Sequence, residues 1–256
     1  MTNRRLFWFV LVVIAAMMLM APAARAQSSS CVDCHFANPA APERDHLGDW
    51  ERSAHGRASV GCEKCHGGDA ASYDASLAHR GVRHSGNAAS PVHRRNLPAT
   101  CGTCHTGPFV HFQKSQHFAL LRRGDNRVPT CATCHDAVAS ALPSPKVLEA
   151  ECQRCHGPKG TAPRVERAAA ARILIEGVIE SRRMLTATEP FIDRVKDAAR
   201  QAQLREAYEQ AEVPLIEAGR SVHEFVFDNL VERLATARRR IDALVAALAN
   251  PDKAAP

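Results

Sequence analysis

Every cysteine in this chain lies in one short motif that occurs five times. The five copies are Cys31-Val32-Asp33-Cys34-His35, Cys62-Glu63-Lys64-Cys65-His66, Cys101-Gly102-Thr103-Cys104-His105, Cys131-Ala132-Thr133-Cys134-His135 and Cys152-Gln153-Arg154-Cys155-His156. Cys-x-x-Cys-His is the attachment spacing of c-type haem. Its two thiols add to the two porphyrin vinyl groups, and the adjoining His binds iron from beneath. Fewer intervening residues would not span both vinyls. Zinc half-sites and a disulfide framework both use cysteine pairs, but neither requires a His after every pair. Five matches out of five therefore predict five c-type haems.

Composition supports a core built from something other than protein. Aromatic residues make up only 5% of the 256, and residues 27–160 are loop-rich and dense in Gly, Pro and Ala. Such a segment cannot bury enough of its own surface to offset chain entropy, so the haems should form its interior. Residues 27–160 hold 15 basic against 12 acidic side chains. With ten propionates to neutralise, that excess reads as propionate partners rather than a nucleic-acid patch. The holoprotein would carry about −2 when oxidised and about −7 when reduced.

Asn3-Arg4-Arg5, an apolar stretch from Leu6 to Met20, and small residues at Ala24 and Ala26 read as a secretory signal. Residues 1–26 are the expected leader, cleaved before Gln27, with a single N-terminal membrane anchor as the alternative. The apolar core is short for a bilayer and Pro22 interrupts its end. Without the leader the chain has 30 basic and 27 acidic residues. The expected location is periplasmic or otherwise exported, where such haems are attached.

Eight histidines lie outside the motifs: His46, His55, His79, His84, His93, His111, His117 and His223. Five irons with one motif His each need a sixth ligand or an open position. An internal repeat narrows the choice. Trp50-Glu51-Arg52-Ser53-Ala54-His55 and Phe112-Gln113-Lys114-Ser115-Gln116-His117 both read aromatic-x-x-Ser-x-His. If each lay on one helix, the aromatic ring would pack beside the macrocycle that the His ligates. His93 precedes Cys101 much as His55 precedes Cys62, which makes it a weaker candidate. His46 and His84 are reserves, and His111 reads as a propionate partner or a solvated residue.

These Ser-x-His repeats, with Cys65-His66-Gly67-Gly68, Ala78-His79-Arg80-Gly81 and Thr100-Cys101-Gly102-Thr103-Cys104-His105, resemble multihaem cytochromes of the cytochrome c-554 and hydroxylamine oxidoreductase-like superfamily. The resemblance covers roughly residues 31–160. It implies distal ligation by His55, His79 and His117, and haems stacked at near contact for electron transfer. Family members with four haems differ from the five motifs here, which leaves haem order open. In related proteins a late helix often returns a His to an earlier haem, which implies the same for His223.

From about Pro163 the texture changes to Ala, Arg, Glu and Leu with helical periodicity and no Cys. Arg164 to Leu185 predicts one amphipathic helix, and Thr188-Glu189-Pro190 predicts the start of the next. Pro214 and Gly219 predict a kink or break before a third helix from about Ser221 to Ala249. The expected fold is mainly α: a loop-rich multihaem cytochrome c domain over 27–160 with little strand, then a helical hairpin or three-helix bundle over 161–256.

The functional expectation is an electron carrier with five bis-His haems, working between a redox donor and an acceptor protein. It would be soluble, peripheral to a membrane, or a subunit of a membrane redox complex, with no nucleic-acid partner. The alternative is a reductase or oxidase of a small nitrogen or sulfur oxyanion at one open-site haem. No Cys-x-x-Cys-Lys motif occurs, and a cross-linking tyrosine could only be Tyr73 or Tyr208. No catalytic residue is assigned.

Overall fold

The protein is described by a computed structural model covering residues 29–38, 44–138 and 142–250. The expected leader lies outside these residues. The described residues form helices joined by turns, with no strand among them. The chain divides into two compact units, residues 1–81 and 82–256. Motifs one and two belong to the first unit. Motifs three to five share the second with the long C-terminal helices, so the composition change near residue 160 does not coincide with this division.

The first unit is a series of short helices: α1 (Ser30–Ala37), α2 (Arg44–Arg52), α3 (Ala54–Arg57), α4 (Glu63–His66) and α5 (Ala75–Ala78). α1 carries motif one whole. In motif two the α4 helix starts after Cys62, and Gly67 and Gly68 follow at φ +74° and +89°. Glycine alone takes these left-handed values without steric penalty, so the backbone can turn away directly after His66.

The second unit begins with α6 (Leu97–Gly102), α7 (Thr106–Gln113), α8 (Gln116–Arg122), α9 (Cys131–His135) and α10 (Pro145–His156). Motif three straddles the end of α6, motif four is α9, and motif five ends α10. Three long helices follow: α11 (Val165–Asp193), α12 (Ala198–Ser221) and α13 (Phe227–Ala249). Each packs against the other two, forming a three-helix bundle. Leu230, Leu234, Ala237, Ile241 and Leu244 line its buried seam at helical spacing, against Leu185, Leu204, Ala211 and Leu215. The α11–α13 crossing is close. A Cβ on Gly177 would sit 2.9 Å from Leu234 Cδ2, and Arg238 reaches across to the Ser181 hydroxyl at 3.2 Å.

Two expected helix boundaries are corrected. Thr188-Glu189-Pro190 starts nothing, because α11 runs through Pro190 to Asp193. The proline withdraws one backbone donor near the helix end. Ile192, 1% exposed, holds that last turn in the bundle core. Pro214 likewise lies inside α12, flanked by the buried Ala211 and Leu215. Tertiary burial outweighs the proline penalty at both places. The break comes later, as a 3₁₀ turn at Val222–Glu224 with Phe225 in the left-handed region at φ +56°. His223 therefore sits on the connection between α12 and α13, not in the first turn of the last helix.

Candidate functional site

The Ser of the aromatic-x-x-Ser-x-His repeat is a helix N-cap in both copies. Ser53 Oγ accepts from the Gly56 amide at 3.0 Å, and Ser115 Oγ accepts from the Phe118 amide at 3.0 Å. Each Ser is 2% exposed. The aromatic and the His thus lie on consecutive helices, not on one, because the cap interrupts the chain between them. This corrects the expectation of a shared helical face. The aromatics anchor the turns instead. Trp50 Nε1 donates to the Val60 carbonyl at 2.8 Å, and Phe112 is buried against Phe118 and Phe225.

Four motif histidines each face a second imidazole. In the first unit the ring centres of His35 and His79 are 6.0 Å apart, and those of His46 and His66 are 6.3 Å apart. In the second unit His117 and His156 are 6.0 Å apart, and His135 and His223 are 6.1 Å apart. Two imidazole nitrogens on one metal, each at about 2 Å and each about 1 Å from its ring centre, put those centres about 6 Å apart. The four spacings therefore suit an iron between each pair. Among the described residues no three or more His, Cys, Asp or Glu gather as a metal-holding cluster, and all ten cysteines are free of disulfides.

Backbone carbonyls support several of these rings. His79 Nδ1 donates to Ala75 at 2.8 Å, His156 Nδ1 to Ala162 at 2.8 Å and His223 Nδ1 to Arg220 at 3.1 Å. Such bonds fix ring orientation and leave Nε2 free for a metal. His79 is presented by α5, whose N-cap Asp74 accepts from the Ser76 and Leu77 amides. Burial pushes the His223 and His117 imidazoles below their usual pKa, which favours the neutral form a metal needs.

Thiols of successive motifs also come together. The Cys101 thiol is pushed up by a hydrogen bond with Cys131 and by burial. Cys62 rises to about 11 through burial, with Cys31 beside it. Cys134 also rises to about 11 through burial, with Cys152 nearby. Burial thus keeps these thiols in their protonated form where motifs meet.

The other candidates are placed as follows. His93 and His84 line an open groove of about 550 Å³ beside Thr130, Ala132 and Thr133 of motif four. Each accepts a nearby backbone amide on Nδ1, His93 from Arg95 and His84 from Gly86. Arg94, in the same groove, has a buried Nε without a hydrogen-bond partner. His55 is the second residue of α3. His46, only a reserve on sequence grounds, faces His66, because α2 lacks any repeat to flag it.

His111 is neither solvated nor available to a propionate through Nδ1. It is 7% exposed and donates from Nδ1 to Glu224 at 2.7 Å. Glu224, 2% exposed, also accepts from Lys114 at 3.0 Å and Asn229 at 3.1 Å, with Arg233 at 3.6 Å. Burial alone would raise this carboxyl, but the bonds from Lys114, Asn229 and His111 hold it down to about 2. No sequence pattern marks this cluster, since His111 and Lys114 lie more than 100 positions from Glu224, Asn229 and Arg233. Tyr73 donates to Asp33 at 2.8 Å, and Tyr208 bonds Glu189 within the bundle.

Residues 87–157 match the family model for cytochrome c7 and related cytochrome c. Residues 14–67 match that for cytochrome c554 and c-prime. The chain is a multihaem c-type cytochrome. No curated protein and no solved structure matches it. Both matched families imply covalently bound haem and haem-based electron transfer. For this cytochrome the fit is good: each imidazole pair unites a motif His with one from outside the motifs.

Proposed function

We propose that this cytochrome is an exported pentahaem electron carrier of the cytochrome c-554 and hydroxylamine oxidoreductase-like group, passing electrons between a donor and an acceptor protein. The carrying observation is the set of four imidazole pairs at 6.0–6.3 Å. His35 with His79, His66 with His46, His135 with His223 and His156 with His117 would hold four irons from both faces. The fifth haem rests on Cys101, Cys104 and His105. His55 and His93 stay ligand candidates, and their two alanine variants tell which of them holds an iron.

When bound, haem supplies one-electron redox chemistry. The chain's own part is to hold both axial nitrogens still. Carbonyl bonds at His79, His156 and His223 do this, and a fixed ligand set keeps reorganisation small. Arg94, with its unsatisfied buried Nε, is the propionate partner we assign at the groove beside motif four. At the four paired sites both faces of the iron would be closed, which leaves a substrate only the His105 haem and favours a carrier if His55 or His93 closes that one too.

Mass spectrometry of the exported holoprotein tests the haem count, with five haem increments expected. A gas-binding assay tests the carrier reading. The reduced protein should not bind carbon monoxide at the four paired sites, and a high-spin haem that takes up stoichiometric carbon monoxide would favour the reductase. His117→Ala should turn one haem high spin while leaving its covalent attachment intact, and an unchanged spectrum would remove His117 from the ligand set.

The ring planes give a further expected result. His135 and His223 are inclined by 19°, whereas His46 and His66 are inclined by 77°. Near-parallel imidazoles act on the same iron d orbital and split the pair strongly. Near-perpendicular ones leave it almost degenerate. Electron paramagnetic resonance of the oxidised protein should therefore show a rhombic low-spin signal beside a highly anisotropic one. A single rhombic species would contradict the 77° pair.

A further inference from the structure

The His117–His156 pair is supported on one side only. His156 donates from Nδ1 to the Ala162 carbonyl at 2.8 Å, but His117 Nδ1 is buried and has no hydrogen-bond partner. A buried ring nitrogen left without an acceptor is uncommon and carries a desolvation penalty. Phe225 packs at right angles against His117, with ring centres 4.7 Å apart and planes at 78°. Phe225 is braced in turn by Phe112 at 6.4 Å, and Phe112 by Phe118 at 5.6 Å. Phe225 reaches this place from the left-handed region, at φ +56°, which a bulky residue occupies only when its surroundings hold it there.

An axial imidazole that donates its outer N–H becomes a stronger electron donor to the metal and favours the oxidised ion. His117 has no such acceptor. Resting on the ligand assignment proposed above, we infer that Phe225 is a positioning residue that keeps His117 Nδ1 dry and so holds the motif-five haem at a higher reduction potential than a hydrogen-bonded ligand would. The opposite arrangement occurs close by: His223, two residues before Phe225, donates to Arg220 and faces His135. One short connection thus addresses two irons, supplying a hydrogen-bonded ligand to one and an apolar seal to the other.

Redox titration of the full holoprotein, followed optically, reads this directly. Phe225→Gln introduces an amide oxygen where the ring now packs on His117, as an acceptor for Nδ1. One component should move to lower potential, its reduction constant falling about tenfold, or about 59 mV for one electron. Phe225→Leu keeps the nitrogen dry and should leave that component near its original position. Unchanged potentials in Phe225→Gln, or an equal shift in Phe225→Leu, would overturn the tuning role. The ligand assignment fails separately, when His117→Ala leaves every haem low spin. A measurement on the unsubstituted protein guards against misfolded variants. In the reduced holoprotein, the His117 Nδ1 proton should resonate upfield of those of His79 and His223. Equal shifts for the three would equally reject the inference.

Discussion

Glu224→Ala is expected to lower the thermal unfolding midpoint of the holoprotein by about 10 °C and to weaken the axial bond at the His135 haem. Glu224 is 2% exposed and is the common acceptor for His111 and Lys114, near the end of α7, and for Asn229 in α13. Removing it leaves a buried imidazole and two exposed donors without their carboxylate. Breaking a buried pair from one side costs about 3–5 kcal/mol. Lys114 and Asn229 are both exposed, so water recovers part of that, and about 3 kcal/mol, the low end, is the expected loss. At this chain length each kcal/mol moves the midpoint by about 2–4 °C. The loss should be local as well as global, because Glu224 adjoins His223 in the 3₁₀ turn. A high-spin fraction amounting to one haem should therefore appear on warming, below the main transition. Glu224→Gln keeps an acceptor and the side-chain volume, and should show a smaller fall. Differential scanning calorimetry combined with optical spectra checks both effects. Equal stability of Glu224→Ala and the parent would mean that the cluster does not fasten α7 to the bundle.

That cluster also shows where sequence reading reached its limit. The five Cys-x-x-Cys-His motifs were legible because covalent haem attachment would demand fixed spacing within a few residues. The bundle seam from Leu230 to Leu244 was legible because burial repeats with the helical period. The Ser-x-His repeat is visible in sequence, but its physical basis is a cap rather than a shared helical face. Ser53 and Ser115 are caps, so the repeat encodes a helix start that presents a His, not a continuous helical face. Pairing between distant histidines has no period at all. His46 facing His66, and His111 turned from a propionate partner into a ligand of Glu224, both follow from tertiary placement alone. The prolines at 190 and 214 misled for a related reason. A proline inside a helix costs about 3 kcal/mol, and several buried neighbours together offset it, Leu185 and Ile192 around Pro190 and Ala211, Leu215 and Ala218 around Pro214.

Haem-free protein is expected to keep its bundle and lose the fold of the rest of the chain. Of the 19 buried apolar residues among those described, only Leu47, Phe112, Leu121 and Val128 precede α11. The contiguous core, from Val178 to Ala247, lies wholly within α11, α12 and α13. Four scattered side chains cannot offset the entropy of ordering the motif-bearing segments, which costs about 1–2 kcal/mol per residue for the backbone alone. The bundle carries its own apolar seam, with Asp197 capping α12 by accepting from the Arg200 amide, and Arg200 donating to the Ala247 carbonyl at 2.9 Å. A variant with all ten motif cysteines replaced by alanine, or protein made without haem attachment, should show two behaviours at once. Amide protons of α11, α12 and α13 should remain protected from exchange, while those of α1 to α10 exchange at nearly unfolded rates. Circular dichroism should retain the helical signal of the three long helices and lose that of the short ones. Restoring covalent haem should return protection to the motif-bearing segments first at the residues flanking each Cys-x-x-Cys-His. If α6 to α10 stayed protected without haem, the polypeptide would have a sufficient interior of its own in that region. The porphyrins would then be passengers in an already folded scaffold, and the scarcity of large apolar side chains before α11 would need another cause.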